Sequence, residues 1–203
     1  MLELVFVIIV IGILAAIAIP RMERDHRQEA ADNILSAIRY TQHLALLDNK
    51  HSATANDWHK TFWRIQFSGN NPYSYSIGSD TDKDGSLDKA ESAIDPSNGK
   101  YFYNNNPSAP QPDESPHVFL SKRHGVTGLA IAGCTTSNNT TAKHIAFDHL
   151  GRPHRGITNA TNDYSTYVTS DCNLTFTLSS GDTFSIIIKT ETGYAYIDGQ
   201  PGS

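Results

Sequence analysis

Hydrophobic and polar positions divide the chain into three textures. The first is an unbroken apolar run, Leu4-Val5-Phe6-Val7-Ile8-Ile9-Val10-Ile11-Gly12-Ile13-Leu14-Ala15-Ala16-Ile17-Ala18-Ile19, headed by one acidic residue, Glu3, and stopped at Pro20. About 20 residues of helix, each rising about 1.5 Å, cover the hydrocarbon core of a bilayer, so Met1 to Ile19 is nearly long enough to span one. The second texture follows the charged stretch Glu23-Arg24-Asp25-His26-Arg27-Gln28-Glu29. Apolar positions then return at helical spacing through Ala30, Ile34, Ile38, Thr41 and Ala45, with Leu35 and Leu44 widening the stripe, until Asp48-Asn49-Lys50 ends the pattern. Together the two stretches predict one helix of about 70 Å from Leu2.

The third texture begins near Thr61 and consists of short β-type runs separated by turn residues. Phe62-Trp63-Arg64-Ile65-Gln66-Phe67, Tyr73-Ser74-Tyr75-Ser76-Ile77 and Ile145-Ala146-Phe147 read as strands. The clearest hairpin comes late: Leu174 to Leu178 and Thr183 to Ile188 flank Ser179-Ser180-Gly181-Asp182, and Glu191-Thr192-Gly193 turns into Tyr194-Ala195-Tyr196-Ile197. The predicted fold class is α+β, with a long N-terminal hydrophobic α-helix packed on an antiparallel β-sheet globular domain. Polar tracts such as Asn104 to Ser115 and Thr135 to Thr141 read as surface loops.

Of the 203 residues, 38% are hydrophobic, and much of that content is spent on the N-terminus. A polar body of about 150 residues remains, enough for one core. A formal net charge of −5 argues against a dominant nucleic-acid surface. The local patches Lys122-Arg123-His124 and Arg152-Pro153-His154-Arg155 read first as solvated loops and second as polyanion contacts. The two cysteines, Cys134 and Cys172, read most simply as one disulfide if the chain is translocated; a two-cysteine metal site is the weaker alternative, since His144, His149 and His154 lie at no recognised zinc spacing from them. No nucleophile elbow, phosphate loop or zinc-protease motif is present, and the grouping His144, Asp148, His149 and His154 is unspecific in spacing, so catalysis is not expected.

Asp80-Thr81-Asp82-Lys83-Asp84-Gly85-Ser86-Leu87-Asp88-Lys89-Ala90-Glu91 matches the EF-hand loop pattern at every informative position. Hard Ca²⁺ takes about six to eight oxygen ligands. Asp80, Asp82 and Asp84 supply alternating carboxylates, Gly85 the sharp reversal, Ser86 a carbonyl, Asp88 a direct or water-mediated ligand and Glu91 a bidentate carboxylate. The alternative is an acidic solvated loop. A strand rather than a helix precedes it and no second loop pairs with it, so a structural clamp filled at roughly millimolar calcium is favoured over a sensor.

Glu3 needs a positive partner, because a carboxylate at the centre of a membrane helix costs roughly 3 kcal/mol. Leu2-Glu3-Leu4-Val5-Phe6-Val7-Ile8-Ile9-Val10-Ile11-Gly12-Ile13-Leu14-Ala15-Ala16-Ile17-Ala18-Ile19-Pro20 closely resembles the N-terminal helix of type IV pilins and type II secretion pseudopilins. The resemblance implies that Glu3 pairs with the N-terminal ammonium of a neighbouring subunit. It also implies that the stretch from Gly12 to Pro20 can unwind on assembly, where the alternative is easier helix packing at Gly12 and a kink at Pro20. The family's glutamate is fifth in the mature chain and Glu3 is third here, so the resemblance implies two further residues and a leader ahead of this numbering, with Met1 a start, a trimmed end or an internal residue. Ile145 to Pro153 and Phe184 to Tyr194 resemble the C-terminal strands of H-type pseudopilins and related minor pilins.

On that resemblance residues 1–28 form a transmembrane or filament-core helix, 29–50 its amphipathic continuation, and 51–203 a globular β-rich domain carrying the calcium loop 80–91. The expected function is that of a structural subunit polymerising into a type IV pilus-like extracellular filament. The alternatives are a minor pseudopilin that initiates or caps a pseudopilus and a signal-anchored periplasmic calcium-binding domain. Expected partners are identical subunits, a prepilin peptidase and an inner-membrane assembly platform; the expected location is the inner membrane before assembly and an extracellular or periplasmic filament afterwards. Asp171-Cys172-Asn173-Leu174-Thr175 fits an extended acidic glycosylation sequon, making Asn173 a candidate acceptor.

Overall fold

A computed structural model describes residues 2–136, 143–200 and 202, and the side chains of residues 2–4 and 15–25 lie outside the described set. Helix α1 (Leu2–Leu47) leads into β1 (Trp63–Phe67) and β2 (Tyr75–Gly78). After the loop region come α2 (Leu120–His124), β3 (Val126–Gly133), β4 (His144–Phe147) and β5 (Pro153–His154). Strands β6 (Cys172–Leu178), β7 (Thr183–Ile188) and β8 (Ala195–Ile197) complete the chain.

The strands form two four-stranded antiparallel sheets, ordered β2-β1-β4-β5 and β3-β6-β7-β8. In the first, Ile65 lies opposite both Ile77 and Ile145. In the second, Leu174 pairs with Ile186 and Phe176 with Phe184, whose rings stack with centroids 5.2 Å apart. This register puts the apolar side chains of β6 on one face, since Cys172, Leu174, Phe176 and Leu178 are buried and the residues between them are partly exposed. Helix α1 packs on both sheets, through β1, β2 and β4 on one side and β7 and β8 on the other. Its buried stripe is Ala30, Ala31, Ile34, Leu35, Ala37, Ile38, Thr41 and Ala45.

The amphipathic second half of α1 packs on the body. The expectation of a long hydrophobic helix packed on one antiparallel sheet is corrected on two points. The apolar stretch with described side chains is confined to Val5–Leu14, and its large residues are 38–67% exposed. No helix among the described residues is long and apolar enough to cross a membrane. The body, finally, carries two sheets instead of one. The physical reason lies in periodicity: a stretch apolar on every side presents no polar face to water when it packs on a sheet, whereas the stripe after Ala30 buries one face and solvates the other.

Glycine closes the fold where the two C-terminal turns meet α1. A Cβ on Gly193 would stand 2.2 Å from the Gly151 carbonyl oxygen, and its φ of +65° is a left-handed conformation. Gln42 of α1 bridges the same point, its Nε2 donating to the carbonyls of Gly151 at 2.9 Å and Thr192 at 2.8 Å. At the far edge of the second sheet a disulfide joins Cys134 to Cys172, tying the end of β3 to the start of β6.

Candidate functional site

The loop after β2 is an excursion closed at its base by backbone hydrogen bonds. Ser79 N donates to the Glu91 carbonyl at 3.2 Å and Ala93 N to that of Ile77 at 2.8 Å, so the chain leaves and returns at one place. Inside the excursion each aspartate takes the N–H of a later residue. Asp80 Oδ2 accepts from Gly85 N at 3.0 Å, Asp82 Oδ1 from Asp84 N at 3.1 Å, and Asp84 Oδ1 from Ser86 N at 2.7 Å. Lys83 and Gly85 both have positive φ, 64° and 97°, which reverses the chain between the carboxylates. The result brings one oxygen from each of Asp80, Asp82 and Asp84 within 4.8 Å of the others, with Asp80 buried and the other two exposed.

The remaining expected ligands have other partners. Glu91 Oε1 accepts from Thr81 N at 2.6 Å, Thr81 Oγ1 at 2.9 Å and Asp82 N at 3.3 Å, and its Oε2 accepts from Asp88 N at 3.1 Å. Glu91 thus latches the loop to itself. Partial burial raises its pKa, but the N–H groups of Asp88, Thr81 and Asp82 together with the Thr81 hydroxyl hold it below the usual range. Asp88 caps the short turn Lys89–Glu91. The Ser86 carbonyl accepts from a residue that the sequence pattern does not point to, Arg64 of β1.

Arg64 is 0% exposed and lies under the loop. Its Nη2 donates to the carbonyls of Ser86 at 2.8 Å and Gly85 at 3.0 Å, and its Nη1 faces Asp80 Oδ2 at 3.4 Å. Burial pushes the arginine down and the aspartate up, and the attraction between them opposes both shifts. No sequence signal marked this partner, because an arginine alternating with Trp63 and Ile65 in a strand reads as solvent-facing.

Other expected residues are placed as follows. Gly12 is exposed on α1 with no atom near its Cβ position. Glu3 and Pro20 fall within α1, and their side chains lie outside the described residues. Asn173 stands within β6 between β3 and β7, partly buried, and accepts from Thr175 Oγ1 at 3.2 Å. The segment Arg152 to Arg155 is not an open basic stripe: Arg152 pairs with the buried Asp148 at 2.7 Å, and His154 and Arg155 are themselves buried. His144 accepts at Nε2 from the N–H groups of Gly156 and Ile157, and His154 engages Thr166 at 3.0 Å and faces Asp148 at 3.5 Å, so these groups serve the fold. Among the described residues Asp80, Asp82 and Asp84 are the one group of three side chains that converges for a metal ion.

A groove of about 680 Å³ runs beside α1, lined in part by Glu29, Asp32, Tyr40, Asp95 and His117. Burial raises the Asp95 pKa, but hydrogen bonds from Ser115, Ser97 and His117 outweigh it and bring the carboxyl down to about 2. That carboxylate is spent on local structure. Comparison with models of protein families, with curated proteins and with solved structures finds no match to this chain.

Proposed function

We propose that this protein is a structural subunit that assembles with copies of itself into a filament of the type IV pilin and pseudopilin kind. The observation that carries the reading is the nine large apolar side chains between Val5 and Leu14, 38–67% exposed. They cover all sides of the helix, so no single contact within the chain could bury them. Exposed contiguous apolar surface of this kind marks an interaction site. Covering nine half-exposed side chains is worth on the order of 10 kcal/mol before the costs of association. Several neighbouring helices, each apolar all round, would provide that cover, and lipid would provide it before assembly. The globular body, held by its disulfide, would then face outward from the filament.

A second reading, a minor subunit that starts or caps such a filament, rests on the resemblance of Ile145 to Pro153 and Phe184 to Tyr194 to H-type pseudopilins; these two segments meet at Gln42 through Gly151 and Thr192. Electron cryo-microscopy of filaments sheared from producing cells separates the readings. The expected result is a homopolymer whose side-chain density follows this sequence, with residues 5–14 enclosed by neighbouring helices. This chain at filament tips alone would favour the minor subunit. Filaments of another protein lacking this chain altogether would overturn both and leave an anchored domain.

A further inference from the structure

We propose that the Asp80–Glu91 loop binds one Ca²⁺ on Asp80, Asp82 and Asp84, and that Arg64 holds the site in shape as a fixed counter-charge from the sheet below. This does not rest on the filament reading. The acidic cluster alone would carry little. The independent observation is Asp80 Oδ1: the side chain is 0% exposed, and this oxygen is buried without a hydrogen-bond partner. Its sister oxygen is committed to Gly85 and Arg64. A buried carboxylate oxygen left without a donor costs free energy that a cation would recover.

Donor chemistry selects the ion class. All three ligands are carboxylate oxygens, which suit hard cations such as Ca²⁺, Mg²⁺ and Mn²⁺. Their oxygens lie within 4.8 Å of one another. That spacing lies within the reach of one Ca²⁺, and Ca²⁺ is commonly held by several carboxylates, whereas Mg²⁺ usually keeps most of its waters and takes one or two, so a three-carboxylate cluster favours Ca²⁺. The exposed Asp82 and Asp84 leave room for water to complete the larger shell.

Arg64 explains how the loop keeps this shape without the ion. It donates to the Gly85 and Ser86 carbonyls, the inner wall of the turn, so the carbonyl that the sequence pattern offers to calcium already has a partner. With Glu91 also holding the loop backbone, three carboxylates and water make the starting shell. Affinity in the roughly 0.1–1 mM range of extracellular modules follows from so few protein ligands beside a buried cation.

The test is thermal unfolding and calorimetric titration of the full chain in detergent micelles, with CaCl₂, MgCl₂ or EDTA. Calcium at 5 mM is expected to raise Tm by about 2–9 °C with one-site stoichiometry, and magnesium by less. The exposed pair Asp82→Asn and Asp84→Asn should leave Tm in EDTA unchanged or higher while abolishing the calcium shift. No calcium shift in the parent chain, or an equal shift in the double variant, would overturn the site. A parent shift with magnesium as large as with calcium would overturn the choice of ion.

Discussion

Two stretches of one helix behave in opposite ways. From Val5 to Leu14 every large side chain of α1 is exposed, and from Ala30 to Ala45 one stripe of the same helix is buried against two sheets. The two differ in apolar content and therefore in pattern: residues 5–14 hold no polar side chain, whereas residues 30–45 interleave polar and apolar ones. Ala30, Ile34, Ile38 and Ala45 recur on one face, so a single packing event satisfies them, and Arg39, Gln42 and His43 remain to meet polar groups or water. The N-terminal stretch has no polar face to leave outside. Its burial requires an environment that surrounds the helix, which the body of one chain cannot supply.

Matched substitutions should break this comparison most sharply. Ile38 is 0% exposed, and Ile38→Asp buries a carboxylate without a partner, which is expected to destabilise the body by more than about 4 kcal/mol. Ile9 is 55% exposed, and Ile9→Asp should leave the unfolding of the body within about 1 kcal/mol of the parent while abolishing filament formation. Circular dichroism melts in detergent check the first half, and recovery of sheared filaments the second. Equal destabilisation by both would mean that the N-terminal stretch packs within the chain.

A smaller effect concerns the β3 edge of the second sheet. The Cys134–Cys172 bond closes 38 residues of chain, and its removal by a double Cys→Ala change should cost about 4 kcal/mol in the chain-entropy model. Chemical denaturation with and without reductant measures it. The double variant should still insert its N-terminal stretch in micelles, because the bond restrains only the second sheet and the chain between β3 and β6.

The smallest effect is acid sensitivity confined to the body. Burial pushes His144 down to about 3, with Arg64 and Arg155 adding to the shift, and its Nε2 must stay unprotonated to accept from Gly156 and Ile157. Unfolded, it titrates near 6.5. The unfolded chain therefore binds the proton more readily, so this contribution is complete above about pH 6.5 and is lost as pH falls towards 3. The slope is about 1 kcal/mol per pH unit below the unfolded pKa. His124, pushed down to about 4 by its burial, adds a term of the same sign. His144→Gln keeps an acceptor that does not titrate, and should flatten the fall of Tm between pH 6 and 4; an unchanged slope would assign the acid sensitivity elsewhere.

Much of this was legible in the chain itself. The stripe after Ala30, its end at Asp48, and the meander of β6, β7 and β8 follow from periodicities of 3.6 and 2 and from turn residues between them. The Asp80, Asp82 and Asp84 grouping was readable because alternate residues of a tight turn face inward together. Strand β3 was not legible. Its Gly128, Ala130, Ala132 and Gly133 offer no large alternating side chains, and it exists because β6 supplies a ladder along its whole length. The division into two sheets was hidden for the same reason, since pairing partners are chosen across the fold.

Local pattern therefore determined which residues of this protein become helix, hairpin and acidic turn, because those choices depend on neighbours a few positions apart. Tertiary structure alone decided that Arg64 is buried. Alternation in β1 puts it on the face opposite Ile65, and only the loop folded over that face removes it from water and sets it against Asp80 and the carbonyls of Gly85 and Ser86. A charge buried that deeply must have its partners within hydrogen-bonding reach, and chain segments about 20 residues apart come that close only once both are folded.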